Sequence, residues 1–226
     1  MTLQVKSFTP TAAGALLFSD FDGRADQPTL LGVNWLCAVT DCPPSPPNGP
    51  GLASAYNVSA LGLTMATSGS NGQSCIYSVP WVMDLATLGL RPQFSQFRMD
   101  ANNSTAIILD RRGPCVFAIP SAGGSSYAIY WNAEQLKCEL WRIGTIGTLE
   151  TSLGLFTVAL NDMVRIEADA TNPASIAVRA YRNGVLQLSV ADTSAGRLTV
   201  GIPGIVDRFC SAGIVCRIKN FSCGAL

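Results

Sequence analysis

VRAYRNGVLQLSV, residues 178–190, decides the fold. Val178, Ala180, Val185, Leu186, Leu188 and Val190 are apolar or small, with Arg179, Tyr181, Arg182, Gln187 and Ser189 between them. Alternation with period two is the mark of a half-buried strand. Asn183-Gly184 interrupts it, and a two-residue Asn-Gly loop favours the type I′ turn, whose central residues both need positive φ. The stretch therefore predicts two antiparallel strands joined by a tight turn.

The same signature recurs outward in both directions. Strand-like runs are expected at Leu16–Phe21, Asn34–Val39, Leu61–Ala66, Phe94–Asp100, Thr105–Arg111, Val116–Ile119, Tyr127–Asn132 and Glu139–Ile143. Further runs fall at Phe156–Ala159, Met163–Ala168, Ile176–Tyr181, Val185–Val190, Leu198–Gly201 and Val215–Phe221. They are short, rich in β-branched and aromatic residues, and separated by Gly, Pro, Asn, Asp or Ser. No stretch sustains the 3.6-residue apolar period of a long helix; one short helical turn is expected near Pro80–Leu88. Many short strands with turn-rich spacers predict an all-β sandwich or barrel. The Pro-rich CPPSPPNGPG, residues 42–51, reads as an extended surface loop within a single domain spanning 1–226.

Composition narrows the function classes. Of 226 residues, 48% are hydrophobic and 13% charged, and 15 Lys+Arg balance 15 Asp+Glu. Such a balance offers no electrostatic footprint for nucleic acid and no polybasic patch for a membrane. No apolar run approaches the ~20 residues that span a bilayer. The N-terminus lacks the pattern of a signal peptide, so synthesis in a host cytoplasm is expected.

The chain has no histidine. Ser-His-Asp and Cys-His nucleophilic sites and Cys/His zinc sites are thereby excluded. Glycan hydrolysis would need two carboxylates roughly 5–10 Å apart. Glu134, Glu139, Glu150 and Glu167 are the only glutamates. Glu134 and Glu139 are an odd number apart and cannot share a strand face. Glu167 and Asp169 share one but run into a loop, which favours solvated side chains. Asp20, Asp22 and Asp26 of DFDGRAD lack the oxygen-ligand series of a calcium loop. No enzyme activity, no metal and no cofactor is expected.

Eight cysteines, 37, 42, 75, 115, 138, 210, 216 and 223, allow two readings. They are buried thiols, or several form disulfides suited to an oxidising exterior. Cys37 and Cys42 are the favoured local pair, and Cys210, Cys216 and Cys223 crowd the last strands. Among aromatics, Tyr127, Tyr130, Trp131 and Trp141 lie on neighbouring strands, YAIYWN and ELWRIG. A sheet face lined with Trp and Tyr stacks on sugar rings, or it serves as core or subunit interface.

Several segments together resemble the concanavalin A-like (laminin G-like) jelly-roll superfamily. FSDFDGRADQPTLLGVNWL resembles its opening strand and polar turn, with Gly32 and Trp35 as the Gly-x-x-Trp. AIILDRRG, SSYAIYWN and KCELWRIGTIGTLETSLG resemble its successive middle strands. LNDMVRIEADATNPASIAVRAYRNGVLQLSVAD matches most closely, and SAGIVCRIKNFSCG resembles the closing strand beside the first. The Glu-x-Asp-x-Glu of the family's glucanases is absent, since Glu139 is followed at +2 and +4 by Trp141 and Ile143. The resemblance implies a jelly roll, and it is similar to phage virion structural proteins. The expected function is a non-enzymatic virion protein, a capsid decoration or tail or fibre component on the particle exterior. Its expected partners are other virion proteins and further copies of itself, with a glycan as an additional ligand. The alternative is a carbohydrate-binding adhesion module.

Overall fold

The structure is a computed structural model. It describes residues 17–20, 27–28, 35–39, 56–59, 62–65, 70–78, 92–102, 111–119, 125–132, 136–145, 149–210 and 216–226, with side chains within 92–99, 113–119, 125–131, 136–144, 150–206 and 218–226. The expected helical turn near Pro80–Leu88 and the Pro-rich loop lie outside these residues.

The strands in chain order are β1 (Leu17–Asp20), β2 (Gln27–Pro28), β3 (Trp35–Val39), β4 (Tyr56–Ser59), β5 (Gly62–Met65), β6 (Ser70–Ser78), β7 (Gln93–Asn102) and β8 (Arg111–Ile119). They continue as β9 (Ser125–Asn132), β10 (Lys137–Thr145), β11 (Leu149–Thr157), β12 (Met163–Asp169), β13 (Ile176–Arg182), β14 (Val185–Asp192), β15 (Ile202–Cys210) and β16 (Cys216–Ala225). Among the described residues they form two antiparallel sheets. One, of nine strands, runs β14-β13-β12-β7-β16-β5-β4-β2, with β1 also on β16. The other, of seven, runs β11-β10-β9-β8-β15-β6-β3. The protein is an all-β sandwich, and its first described strand pairs with its last.

The hairpin forms as its sequence dictates. Asn183 and Gly184 take φ of 50° and 80°, and Arg182 pairs with Val185 across them. Tertiary contacts hold the turn as well. The Asn183 amide nitrogen donates to Asp162 (2.6 Å) and its side-chain oxygen accepts from the Met163 N–H (2.8 Å). Arg182 pairs with Asp162 at 2.5 Å. The hairpin is thus tied to the loop that opens β12.

Burial follows the period-two pattern where one face is wet. In β12, Val164, Ile166 and Ala168 are buried while Met163, Arg165, Glu167 and Asp169 are half-buried on the outer face. β9 differs, being buried on both faces from Ser125 to Trp131. A central strand covered on both sides reads as an unbroken apolar run, as YAIYW does. β14 is less buried than its apolar sequence suggests. It ends its sheet, and Val185 and Leu186 are exposed.

Two expected strands are displaced. Leu198–Gly201 is irregular, and the strand begins instead at Ile202. The Leu198 N–H donates to the Tyr127 hydroxyl (3.1 Å) rather than to a ladder. Gly201 has a φ of 153°, and a Cβ there would strike the Phe117 backbone. Of the run expected at Phe156–Ala159, only Phe156 and Thr157 are in a strand, as the end of the longer one that starts at Leu149.

Candidate functional site

The structure separates the four sequence-predicted aromatics into two groups. Tyr127, Tyr130 and Trp131 are at most 1% exposed. Their rings are core, so the expectation that they stack directly on a sugar is corrected. Trp141 is half-buried at the border of the core.

Strand register places Trp141 in a defined group. Trp141 sits opposite Ala128, and Glu139 opposite Tyr130. Residues two apart on one strand share a face, so Tyr130, Glu139 and Trp141 share the outer face of the seven-stranded sheet. A register shift between Leu140 and Trp141 brings Ser152 opposite Trp141 and Glu150 opposite Ile143 on β11. The Trp141 indole N–H donates to the Glu139 carboxylate (2.9 Å), which fixes the ring's orientation. The Tyr130 and Trp141 rings are tilted by 54° with centroids 6.3 Å apart. The Tyr130 hydroxyl donates to Glu150 at 3.4 Å. The result is an oriented indole, backed by a buried phenol, between two carboxylates. Glu139 and Glu150 are offset by four residues along β10, about 13 Å of strand.

On the inner side of the same strands lies a network that pattern reading missed. Tyr127 donates to Asp192 (2.7 Å), and Arg142 donates to both carboxylate oxygens of Asp192 (3.0 and 3.1 Å). The Ser194 N–H adds a fourth bond to that carboxylate at 3.0 Å. Arg142 also reaches the hydroxyls of Ser194 and Thr151. Burial pushes the Asp192 carboxyl up, but the bonds from Ser194, Tyr127 and Arg142 outweigh it and hold it below the ordinary carboxylate range. Burial, reinforced by the bond to Asp192, pushes the Tyr127 phenol well above its ordinary value. The network joins β9 and β10 to the end of β14 and locks sheet to sheet under the outer face. Its sequence signal was thin: Arg142 reads as an outward polar residue, and only the turn after Asp192 hints at a cap.

The remaining candidates are placed as follows. Cys223 and Cys138 are buried free thiols, and burial raises both above their ordinary value. The expectation of a disulfide at Cys223 is corrected. Its side chain lies on an apolar inner face, where a small hydrophobe packs without a bridge. The side chains of Cys37, Cys42, Cys210 and Cys216 lie outside the described residues. Glu167 is not solvated; it accepts from Arg165 (2.7 Å) and from the Tyr181 hydroxyl (2.8 Å). Asp169 accepts the Thr171 N–H at 2.9 Å as a turn cap. Among the described residues no group of three or more His, Cys, Asp or Glu side chains is gathered to hold a metal ion, and no helix is long and apolar enough to cross a membrane.

No protein-family model matches the chain, and no curated protein sequence matches it. Solved structures do. The VIP36 exoplasmic/lumenal domain, in its Ca2+/Man3GlcNAc-bound form, has a TM-score of 0.50 at 10% identity, covering 89% of this chain and 87% of that one. The shared fold is an antiparallel β-sandwich of jelly-roll type. The carbohydrate recognition domain of Emp47p gives a TM-score of 0.50 at 8% identity, covering 89% of this chain and 93% of that one. The carbohydrate-binding module CBM66 from Bacillus subtilis lies at 0.49 and 10% identity, covering 84% and 94%.

Proposed function

We propose that this lectin-like jelly roll is a non-enzymatic carbohydrate-binding module whose ligand stacks on Trp141. One observation carries the reading: a half-buried indole on an outer sheet face, held by the Glu139 carboxylate at 2.9 Å and braced by Tyr130. A pre-oriented aromatic costs little conformational entropy on binding, and a neighbouring carboxylate is an acceptor for sugar hydroxyls. The described glutamates are employed in orienting aromatics or in ion pairing, which fits binding rather than bond cleavage. The likeness in fold to the VIP36 and Emp47p domains supports the same class. The virion reading rests on the resemblance to phage jelly rolls together with low charge and cysteine content; a glycan-binding module on a particle surface satisfies these as well.

A glycan array tests the proposal. Wild-type protein retains at least one glycan class, and Trp141→Ala weakens that binding by about 2 kcal/mol, roughly 30-fold in Kd. Unchanged circular dichroism of the variant shows that the fold survives. Full retention by the variant, or no glycan bound by the wild type, defeats the proposal.

A further inference from the structure

The two sheets end side by side on one flank of the sandwich. Among the described residues β14 pairs only with β13, and β11 only with β10. The Leu188 side chain of β14 comes within 3.1 Å of the position a Cβ would take on Gly154 of β11. Arg182, at the hairpin turn, donates to the Thr157 carbonyl at 3.4 Å. A strand with one neighbour leaves a row of N–H and C=O groups unpaired along its other side. This flank therefore carries two such rows, one from each sheet.

Its side chains are apolar and wet. Val185, Leu155 and Leu186 are 63%, 59% and 49% exposed. Leu136 and Leu160 are exposed at the end of the flank, where the Val158 N–H bonds to the Leu136 carbonyl (2.9 Å). Of the large hydrophobics exposed among the described residues, only Leu226 lies elsewhere. Apolar surface gathered in one place marks an interaction site more than the same residues scattered singly. Neither Thr151–Thr157 nor Val185–Ala191 contains a charged residue or a proline, the usual guards of an open edge. Each stretch bulges once, at Leu153 and at Gln187, and the Gln187 side chain covers the Val185 carbonyl (3.1 Å). The regular stretches Gly154–Thr157 and Leu188–Ala191 are the parts shaped to pair.

A lone foreign strand would fill one of these rows. A second copy of the chain fills both, because a two-fold axis normal to the sheets sets β14 against β14 and β11 against β11 in one docking. In such an isologous contact each residue near the axis faces its own copy, where any charge would meet its like. The two stretches hold no charge. We propose that this flank is the interface with a second copy of the chain, an antiparallel dimer in which both sheets run on from one protomer into the next. The exposed Val185, Leu186 and Leu155 side chains lose water against the other copy. The inference does not rest on glycan binding.

Sedimentation equilibrium of the full chain tests it. A contact of this kind has a Kd in the micromolar range, so at ~100 µM the mass is that of two chains. Leu186→Lys and Leu155→Lys each set like charges across the axis and raise the dimer Kd about tenfold or more. Both replace exposed side chains, and unchanged circular dichroism shows that the fold survives. Leu226→Lys, at the exposed leucine outside the flank, leaves the mass at two chains. Hydrogen exchange reads the backbone pairing directly. In the wild type the Leu188–Ala191 amides exchange more slowly at ~100 µM than at ~1 µM, where the dimer dissociates. In Leu186→Lys their exchange does not depend on concentration. A wild-type mass other than two chains, a dimer that survives both lysine variants, a dimer that Leu226→Lys also breaks, or amides indifferent to wild-type concentration overturns the proposal.

Discussion

Asp192 is the most consequential polar residue of the described core, and Asp192→Asn measures how much it holds. The carboxylate is 5% exposed and gathers Tyr127, two contacts from Arg142, and the Ser194 N–H. Asparagine keeps the shape and one acceptor oxygen but loses the charge. The Arg142 side chain, 17% exposed, then stays partly desolvated without its counter-ion. Breaking a fully buried pair from one side costs about 3–5 kcal/mol. Partial exposure of Arg142 and the surviving oxygen reduce this to about 2–3 kcal/mol. For a domain of this length that lowers Tm by roughly 5–10 °C. Urea unfolding followed by circular dichroism reads the change as a lower midpoint at unchanged slope. A cycle with Tyr127→Phe supplies the coupling, expected at about 1 kcal/mol or more for groups in direct contact. An Asp192→Asn protein that unfolds at the wild-type midpoint, or a vanishing coupling, refutes the assignment of this network as the sheet-to-sheet lock.

Other outcomes follow from the same geometry. Asp192 and Asp162 both titrate below the ordinary carboxylate range; burial opposes this, but Ser194, Tyr127 and Arg142 in the first case, and the Ala159 N–H, Asn183 and Arg182 in the second, prevail. A depressed folded value gives stability that is fully present above the unfolded value of about 4 and is lost as pH falls through the folded one, so the urea midpoint drops below about pH 4 and holds from there to neutrality. Gly184→Val forces a β-branched residue to a φ of 80° and costs about 1–2 kcal/mol in the same assay, although nothing lies within 4 Å of its Cβ position. Cys138 and Cys223 stay unreactive toward a thiol reagent at pH 8 in the native protein and react on unfolding, which mass spectrometry of alkylated peptides detects.

Much of the fold was legible because a strand's burial period is local. Met163–Ala168, Ile176–Tyr181 and Val185–Val190 match β12, β13 and β14 within two residues, since each carries either alternation or a turn signal at its end. The strand at Ile202–Cys210 was not legible: IPGIVDRFC contains Pro203 and Gly204 and alternates poorly, and its place between β8 and β6 holds it extended. The candidate site was half legible. Trp141 was named only as one of four aromatics, because the sequence assigns Tyr127, Tyr130, Trp131 and Trp141 the same character.

By itself the sequence determined what depends on neighbours along the chain: the all-β class, the Asn183-Gly184 turn, the absence of histidine chemistry, and the lack of a Glu-x-Asp-x-Glu strand. The tertiary structure alone decided what depends on the partner across the gap. It buried Tyr127, Tyr130 and Trp131 by covering β9 on both faces, and left Trp141 at the border because β10 lies one strand from the sheet's edge. It drew Arg142 inward to Asp192, fifty residues away, and set Arg98 against Lys219. Such pairings are fixed by register between strands remote in sequence. Register is set by the summed burial of whole faces rather than by any single residue.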